Sequence, residues 1–278
     1  MNSDKIVINK FIENHPMEAV RLLERLKIED IVLLLKEIST DHAVIIFKQL
    51  ERITAAKCME TLGAEKSAAI IEKLPLQIVS VFLRQTEVEV REAIVAATSE
   101  EISVPLRRLL SYPADSAGAL ADPLVLSLPD DISIREAQRR ILKSPEKTIY
   151  YLYVVKRDHV LSGVINLREL MLAEPAEQLT AVLHPNVARL SAELNFQAIL
   201  NHPGWQEYHT LPVVEQNDIF LGAIRYETLR RIERESKKSR LPRQVVTAGN
   251  ALGELYQIGI SGLLRGATIP FKDLSDEK

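Results

Sequence analysis

The chain has 278 residues, is 46% hydrophobic and 26% charged, and its 35 Lys and Arg against 38 Asp and Glu leave a formal charge of −3. This is the composition of a globular protein with chain enough for about two domains; it excludes wholesale disorder and gives no electrostatic reason to expect nucleic acid as a partner. The single cysteine, Cys58, excludes an intramolecular disulfide framework and any CxxC metal site, and fits a reducing, cytoplasmic setting.

The start of the chain, Met1-Asn2-Ser3-Asp4-Lys5, lacks the basic-then-apolar order of a signal peptide. No stretch supplies the roughly 18–20 uncharged apolar residues that span a bilayer. The best candidate, residues 248–264, carries Asn250, Glu254, Gln257 and four glycines. The expectation is a chain with no transmembrane segment that is not itself a channel or transporter.

The first hundred residues repeat every twelve. Leu23, Leu35, Phe47, Met59, Ile71, Leu83 and Val95 form one apolar register, and Leu22, Leu34, Ile46, Cys58, Ile70, Phe82 and Ile94 a second. A third runs Leu26, Ile38, Leu50, Leu62, Leu74 and lapses at Thr86; a fourth runs Ala19, Ile31, Ala43, Ala55. Spacings of three, four and seven share one helical face, so each unit predicts a two-turn amphipathic helix. Ser39, Gly63 and Pro75 fall where the chain must reverse. Helices this short are marginal alone and must stack, which predicts an α-solenoid or superhelical domain to about Leu110, with Cys58 a buried apolar side chain.

After Tyr112-Pro113 the pattern becomes α/β. Residues 123–129 predict a short strand, 132–142 a helix capped by Asp131 or Ser133, 149–155 a buried strand, 160–165 a second strand through Gly163, and 167–173 a helix. The same order returns: strand 187–190, helix 192–201, strands 210–214 and 220–224, helix 226–235. A β-α-β-β-α unit is therefore duplicated, with Gly163 matching Gly222, and two copies packed sheet to sheet leave a cleft, a usual ligand position. The fold class is multi-domain α plus α/β.

The run from Leu109 through Ser111-Tyr112-Pro113-Ala114-Asp115-Ser116-Ala117-Gly118, then Tyr151-Leu152-Tyr153-Val154-Val155, the segment from Gly163 to Pro175 with Leu167-Arg168-Glu169-Leu170-Met171-Leu172-Ala173-Glu174-Pro175, and Leu211-Pro212-Val213-Val214 resembles the cytosolic half of MgtE magnesium channels over roughly residues 15–235. That resemblance implies an MgtE-N-like helical repeat domain at 1–112, a CBS pair at 113–235 (motifs about 116–175 and 180–235), and a basic linker with a C-terminal amphipathic helix at 236–278. It implies a homodimer through the CBS pair that senses magnesium and binds adenine nucleotide, so no cofactor is fixed but adenine nucleotide and Mg2+ are the two to weigh. The ribose-holding positions after each glycine are Asn166 and Glu169 in the first motif and Arg225 and Thr228 in the second, all weak nucleotide-binding candidates. The family's magnesium acids are replaced in the turn Pro75-Leu76-Gln77-Ile78, in Ser191-Ala192-Glu193-Leu194-Asn195, and in Tyr226-Glu227-Thr228-Leu229-Arg230; Glu174 alone keeps a carboxylate and is the weak metal candidate.

Other motifs point nowhere catalytic. Six histidines are scattered without HxH or HExxH spacing, no glycine-rich phosphate loop occurs, and Gly259-Ile260-Ser261-Gly262 misses a nucleophile elbow by one residue, so no enzyme is expected. His202-Pro203-Gly204-Trp205 reads as a packed turn or as a cleft wall. Residues 1–235 sum to −6 and 236–278 to +3. The tail, with Leu252, Leu255, Tyr256, Ile260 and Leu263 at helical spacing, reads as a solvated linker or as a docking helix. The reading is a soluble regulatory, ligand-sensing protein with an unknown protein partner at the helical domain or C-terminal helix. Its alternatives are an interaction scaffold with an unliganded CBS pair and the truncated cytosolic part of a magnesium transporter.

Overall fold

The computed structural model describes residues 2–143 and 151–239, which fall into two compact units, 2–50 and 51–239. Residues 149–150 of one expected strand and the expected C-terminal helix lie outside the described residues.

The twelve-residue period is realised helix by helix. After α1 (Asn2–Asn14) come α2 (Pro16–Leu23), α3 (Ile28–Glu37), α4 (Thr40–Phe47), α5 (Arg52–Leu62), α6 (Ala64–Ile71), α7 (Leu76–Leu83), α8 (Val88–Ala96) and α9 (Glu100–Ser111). From α2 onward each helix begins twelve residues after the last. In the first unit α1 packs on α2 and α4, and α2 on α4. In the second, α5 packs on α6 and α7, α6 on α8, and α7 on α9, so each helix meets the next but one.

The two main apolar registers are the core: from Ile46 and Phe47 through Ile94 and Val95 every member is buried. Burial without polar contact pushes the Cys58 thiol up to about 12, which keeps it protonated and inert. The third register does not lapse. Thr86 and Thr98 are buried, and each hydroxyl donates to the carbonyl three residues back, Leu83 and Val95, at 2.8 Å. A hydroxyl satisfied within its own turn is compatible with a core position.

One position per unit ties its helix to a later one. Glu60 accepts from the Glu87 amide at 3.4 Å, and Glu72 accepts from the Ser99 amide at 2.6 Å and its hydroxyl at 3.1 Å. Each carboxylate thereby meets the orphan amides and positive dipole end of the helix three units on, α8 from α5 and α9 from α6. At the next repeat the residue is Arg84, and the reach goes to the other helix end: its Nη2 donates to the carbonyls of Leu109 at 2.8 Å and Tyr112 at 2.7 Å.

The α/β half follows with α10 (Ala117–Leu120), β1 (Ser127–Pro129), α11 (Ile134–Lys143), β2 (Tyr151–Val155), β3 (Leu161–Asn166) and α12 (Leu167–Leu172). The second copy is β4 (Leu190–Ser191), α13 (Phe196–Leu200), β5 (Thr210–Val214), β6 (Phe220–Arg225) and α14 (Tyr226–Ser239). Each copy forms a three-stranded sheet with a parallel first pair and an antiparallel second pair. On β2, Leu152 and Val154 face the core under α11 and α12, while Tyr153 and Val155 face the cluster shared with the second sheet.

Several expected boundaries shrink. The first strand is confined to Ser127–Pro129, and Ser133, not Asp131, caps α11, because Asp131 pairs with Arg157. The expected strand 187–190 reduces to Leu190–Ser191. The expected helix 192–201 reduces to α13, because the backbone just before it is spent on sheet-like pairing: Ala192 donates to Val214, and the carbonyls of Ala192 and Leu194 accept from Gly118 and Ala117, each at 2.8 Å. Asn195 then caps the shortened helix by accepting from Ala198 at 3.0 Å.

Between α5 and α6 the chain turns on Gly63 alone, at φ 84° and ψ 168°. That region is essentially glycine-only. Gly63→Ala is expected to cost about 1–3 kcal/mol in urea unfolding even though no atom lies within 4 Å of the added Cβ.

Candidate functional site

The two motifs exchange their leading segments. Asp122, ahead of β1 in the first motif, bridges to Ala223 on β6 of the second, with amide contacts of 2.8 and 3.1 Å. His184, ahead of β4 in the second motif, bridges to Val164 on β3 of the first, at 2.8 and 3.0 Å. Gly163 and Gly222 permit these crossings: a Cβ on either would collide with the carbonyl oxygen of His184 or Asp122. The sequence carried a signal for this pairing, since Asp122-Pro123-Leu124-Val125 and His184-Pro185-Asn186-Val187 share one pattern, and a residue before proline favours extended backbone.

The candidate residues therefore fall into two related groups. In the first, Asn166 ends β3 and accepts from the Arg168 amide at 2.8 Å, capping α12, while Glu169 Oε2 lies 2.6 Å from His184 Nε2. In the second, Arg225 ends β6 with Nη2 at 3.5 Å from Asp122 Oδ2, and Thr228 stands on the first turn of α14. The leading residue, His184 or Asp122, thus meets a candidate residue in each group. Carboxylate, imidazole and amide in the first group suit hydroxyl donors and acceptors; the second offers a guanidinium, which suits an oxyanion.

The second group opens onto a shallow surface pocket of about 190 Å3, open solvent included, lined by Asp122, Arg225 and Thr228 together with Gln77 of α7. Gln77 Oε1 is buried there without a hydrogen-bond partner. Glu174 stands apart, exposed in the turn after α12. Among the described residues no group of three or more His, Cys, Asp or Glu is placed to hold a metal. One carboxylate supplies only a fraction of the oxygen shell of Mg2+, so Glu174 and its surroundings do not fit a resident magnesium site.

The remaining polar centre was missed by sequence reasoning. Glu215, just after β5, is gripped by two residues from the end of the helical repeats. Arg108 donates to it from Nε at 2.8 Å and Nη2 at 2.7 Å, and the Tyr112 hydroxyl donates to the same carboxylate. The Tyr112 ring packs on Gly118, where no Cβ would fit. The Arg108 hydrogen bond holds the Glu215 carboxyl below the usual carboxylate range. Burial, then the bond to Glu215, pushes the Tyr112 phenol up to about 12, so it remains a donor. The residues lie more than one hundred positions apart in the chain, and no local pattern announces such a pairing.

His202 to Trp205 forms a packed turn: His202 Nδ1 accepts from the Gly204 amide at 3.1 Å and the Trp205 indole donates to the Ile199 carbonyl at 2.6 Å.

With this geometry in place, comparison with known proteins gives a consistent result. Residues 14–115 match the family model of the MgtE intracellular N domain. The chain resembles the cytosolic region of MgtE magnesium transporters. The magnesium transporter MgtE of Bacillus subtilis is 24% identical over 216 residues, covering 77% of this chain and 45% of that protein. The magnesium transporter MgtE of Thermus thermophilus is 23% identical over 220 residues, covering 73% and 49%. The chain thus spans about half the length of these curated relatives. Among solved structures, the cytosolic domain of the Mg2+ channel MgtE in complex with ATP matches with a TM-score of 0.56 at 20% identity, over 82% of this chain and 99% of that one. The soluble part of a magnesium transporter matches at 0.57 and 17%, over 84% and 98%. The fold expected from sequence, an MgtE-like helical domain followed by a CBS pair, is the fold observed. No helix among the described residues is long and apolar enough to cross a membrane.

The Glu215 grip carries a pH signature. A carboxyl whose folded pKa is depressed stabilises the fold above its unfolded pKa, near 4.3, and that contribution is lost as pH falls through the lower folded value. Glu215→Gln is expected to lose about 1–2 kcal/mol at pH 7, and in urea titrations the gap from wild type should narrow as the pH falls below the ordinary carboxylate value.

Proposed function

We propose that the protein is a cytoplasmic, non-catalytic regulatory module: its CBS pair reads a ligand and its helical repeats, residues 1–112, present the result to a protein partner. The observation that carries this reading is the grip of Arg108 and Tyr112 on Glu215. Glu215 belongs to the β5–β6 turn, and that turn also touches the first motif, where the Phe220 amide donates to the His159 carbonyl at 2.9 Å and Val160 bridges Ile219. A shift between the two motifs therefore has a direct mechanical path to α9. A ligand moves such an equilibrium only by binding one arrangement better than the other.

Adenine nucleotide is the first ligand to test, because a structural neighbour was solved with ATP and because Asn166, Glu169, Arg225 and Thr228 stand at the ends of β3 and β6. Mg2+ is the second, given the magnesium-transporter relatives. Thermal unfolding with ATP, ADP, AMP and MgCl2, each alone, separates the readings. A ligand at one hundred times its Kd adds about 2.7 kcal/mol, a rise of several degrees. A flat response to all four decides for a scaffold whose CBS pair takes no ligand.

The functional unit is a homodimer through the CBS pair. Leu142 of α11 and Met171 and Leu172 of α12 are exposed by 80%, 60% and 78%, on helices that pack side by side. Clustered exposed apolar side chains of this kind mark an association face. Leu142→Asp combined with Leu172→Asp is expected to halve the mass seen by light scattering with the melting temperature retained.

A second reading, in which these residues are the cytosolic part of a longer magnesium transporter, is favoured by their covering 45% and 49% of the two relatives. An immunoblot of the source cells decides it: a band well above 31.3 kDa establishes the longer protein.

A further inference from the structure

Helix α1 stands outside the twelve-residue period, and it packs on α4. Through that contact it brings Glu13 to the start of α4. There Ser39 Oγ lies 2.6 Å from His42 Nδ1, and at the other side of the ring His42 Nε2 lies 2.9 Å from Glu13 Oε1. A carboxylate accepts and does not donate, so in the neutral imidazole the proton sits on Nε2. Nδ1 is then left to accept, and the Ser39 hydroxyl is its donor. A hydroxyl held against a base, with the base oriented by a third group, is the arrangement that activates a nucleophile.

The repeat supplies its own contrast. Ser39 is the N-cap of α4, and Ser99 is the N-cap of α9 at the same place in its unit. The Ser99 hydroxyl donates to Glu72 at 3.1 Å, and the residue three on is Ile102. A helix of the stack therefore starts equally well with an apolar residue where α4 has His42, and packing does not explain the imidazole. Access is arranged to match. Ser39 is exposed, whereas the His42 side chain keeps only 14% of its surface, so the hydroxyl is reachable and the base is shielded. Ser39 Oγ also accepts from the His42 amide at 3.3 Å. The amide of Thr40, next in the chain, is among the first of α4, which have no partner within the helix. The amide that follows a nucleophile is a usual donor to the oxyanion of an attacked carbonyl.

We propose that Ser39 is an acyl-accepting serine, which takes an acyl group from an activated acyl donor with His42 as its base and Glu13 as the residue that positions the base. The bond from Ser39 Oγ to the acyl carbon forms as the bond from that carbon to the leaving group breaks. The hydroxyl proton passes to His42 Nδ1 and from there to the leaving group. The modification is stoichiometric, so it goes beyond the regulatory reading above and does not require the CBS pair to bind a ligand. Acylated Ser39 has no proton to give His42, so the polar tie between α1 and α4 changes with it.

The test treats the full chain with p-nitrophenyl acetate and follows acetylation at each serine by peptide mass spectrometry, with Ser99 as the internal reference. Ser39 should be acetylated at least about 100 times faster than Ser99, the lower end of what a positioned base supplies. His42→Gln, assayed well below its melting temperature, should bring Ser39 down to the rate of Ser99. Glu13→Ala under the same condition should slow Ser39 while Ser99 keeps its rate. Equal rates at Ser39 and Ser99 in the wild-type chain, or either folded variant at the wild-type ratio, overturns the proposal. Should a variant fail to fold, the comparison of Ser39 with Ser99 in the wild-type chain still decides.

Discussion

The carboxylate of Glu215 is the point on which the second compact unit turns. Arg108 and Tyr112 arrive from the last helix of the repeats; Glu215 sits on a two-stranded turn of the second CBS motif; that turn leans on the first motif through His159 and Val160. Three structural parts thus share one polar contact. Its strength comes from geometry. Two guanidinium N–H groups and a phenol converge on one carboxylate that is about a quarter exposed, so charge-assisted bonds act with reduced solvent screening. The surroundings prevent relaxation: Arg84 pins the carbonyls of Leu109 and Tyr112, and the Tyr112 ring is seated on Gly118. A junction of this kind is costly to half-break, because removal of one partner leaves the other charge partly buried and unpaired.

The repeats feed this junction by a regular device. A single register position reaches forward along the stack, three helices ahead as an acid at Glu60 and Glu72 and two ahead as a base at Arg84. The acids serve amino ends and the base serves a carboxyl end, which is the polarity the helix dipole demands. The sign reversal at Arg84 marks where the stack stops adding helices and passes to the α/β half. A nearest-neighbour stack needs a distinct terminal element, and Arg84 with α9 supplies it.

The helical half was legible because its information is periodic: two fixed registers of apolar residues specify both the helix face and the spacing, and every helix start obeyed it. Thr86 marks the limit of that rule: a polar side chain whose hydroxyl is satisfied within its own turn keeps the buried register. The duplicated motifs were legible from Gly163 and Gly222, yet their helix and strand ends were not, because Ala192 and Leu194 spend their backbone on partners far along the chain. The candidate site was legible in kind and incomplete in content. Asn166, Glu169, Arg225 and Thr228 occupy related positions, but their partners His184 and Asp122 arrive from the exchanged leading segments. Glu215 was invisible because its partners, Arg108 and Tyr112, come from the end of the helical repeats more than one hundred residues away.

The exchanged segments also bear on the metal question. Gln77 and Thr228 of α14 converge on the pocket beside Asp122. There the one carboxylate from the leading segment already faces Arg225 at 3.5 Å. A divalent cation brought to that carboxylate would stand near a fixed positive charge, a repulsion of about 8 kcal/mol at 4 Å and an effective dielectric of 20 before discounting for partial exposure. The neutral carbonyl of Gln77 offsets little of it. Arg225 therefore does for Asp122 what an ion would do, at no cost in binding entropy and with no dependence on ion concentration. The helical half is meanwhile held to the second motif through Glu215, a contact made wholly of this chain's own side chains.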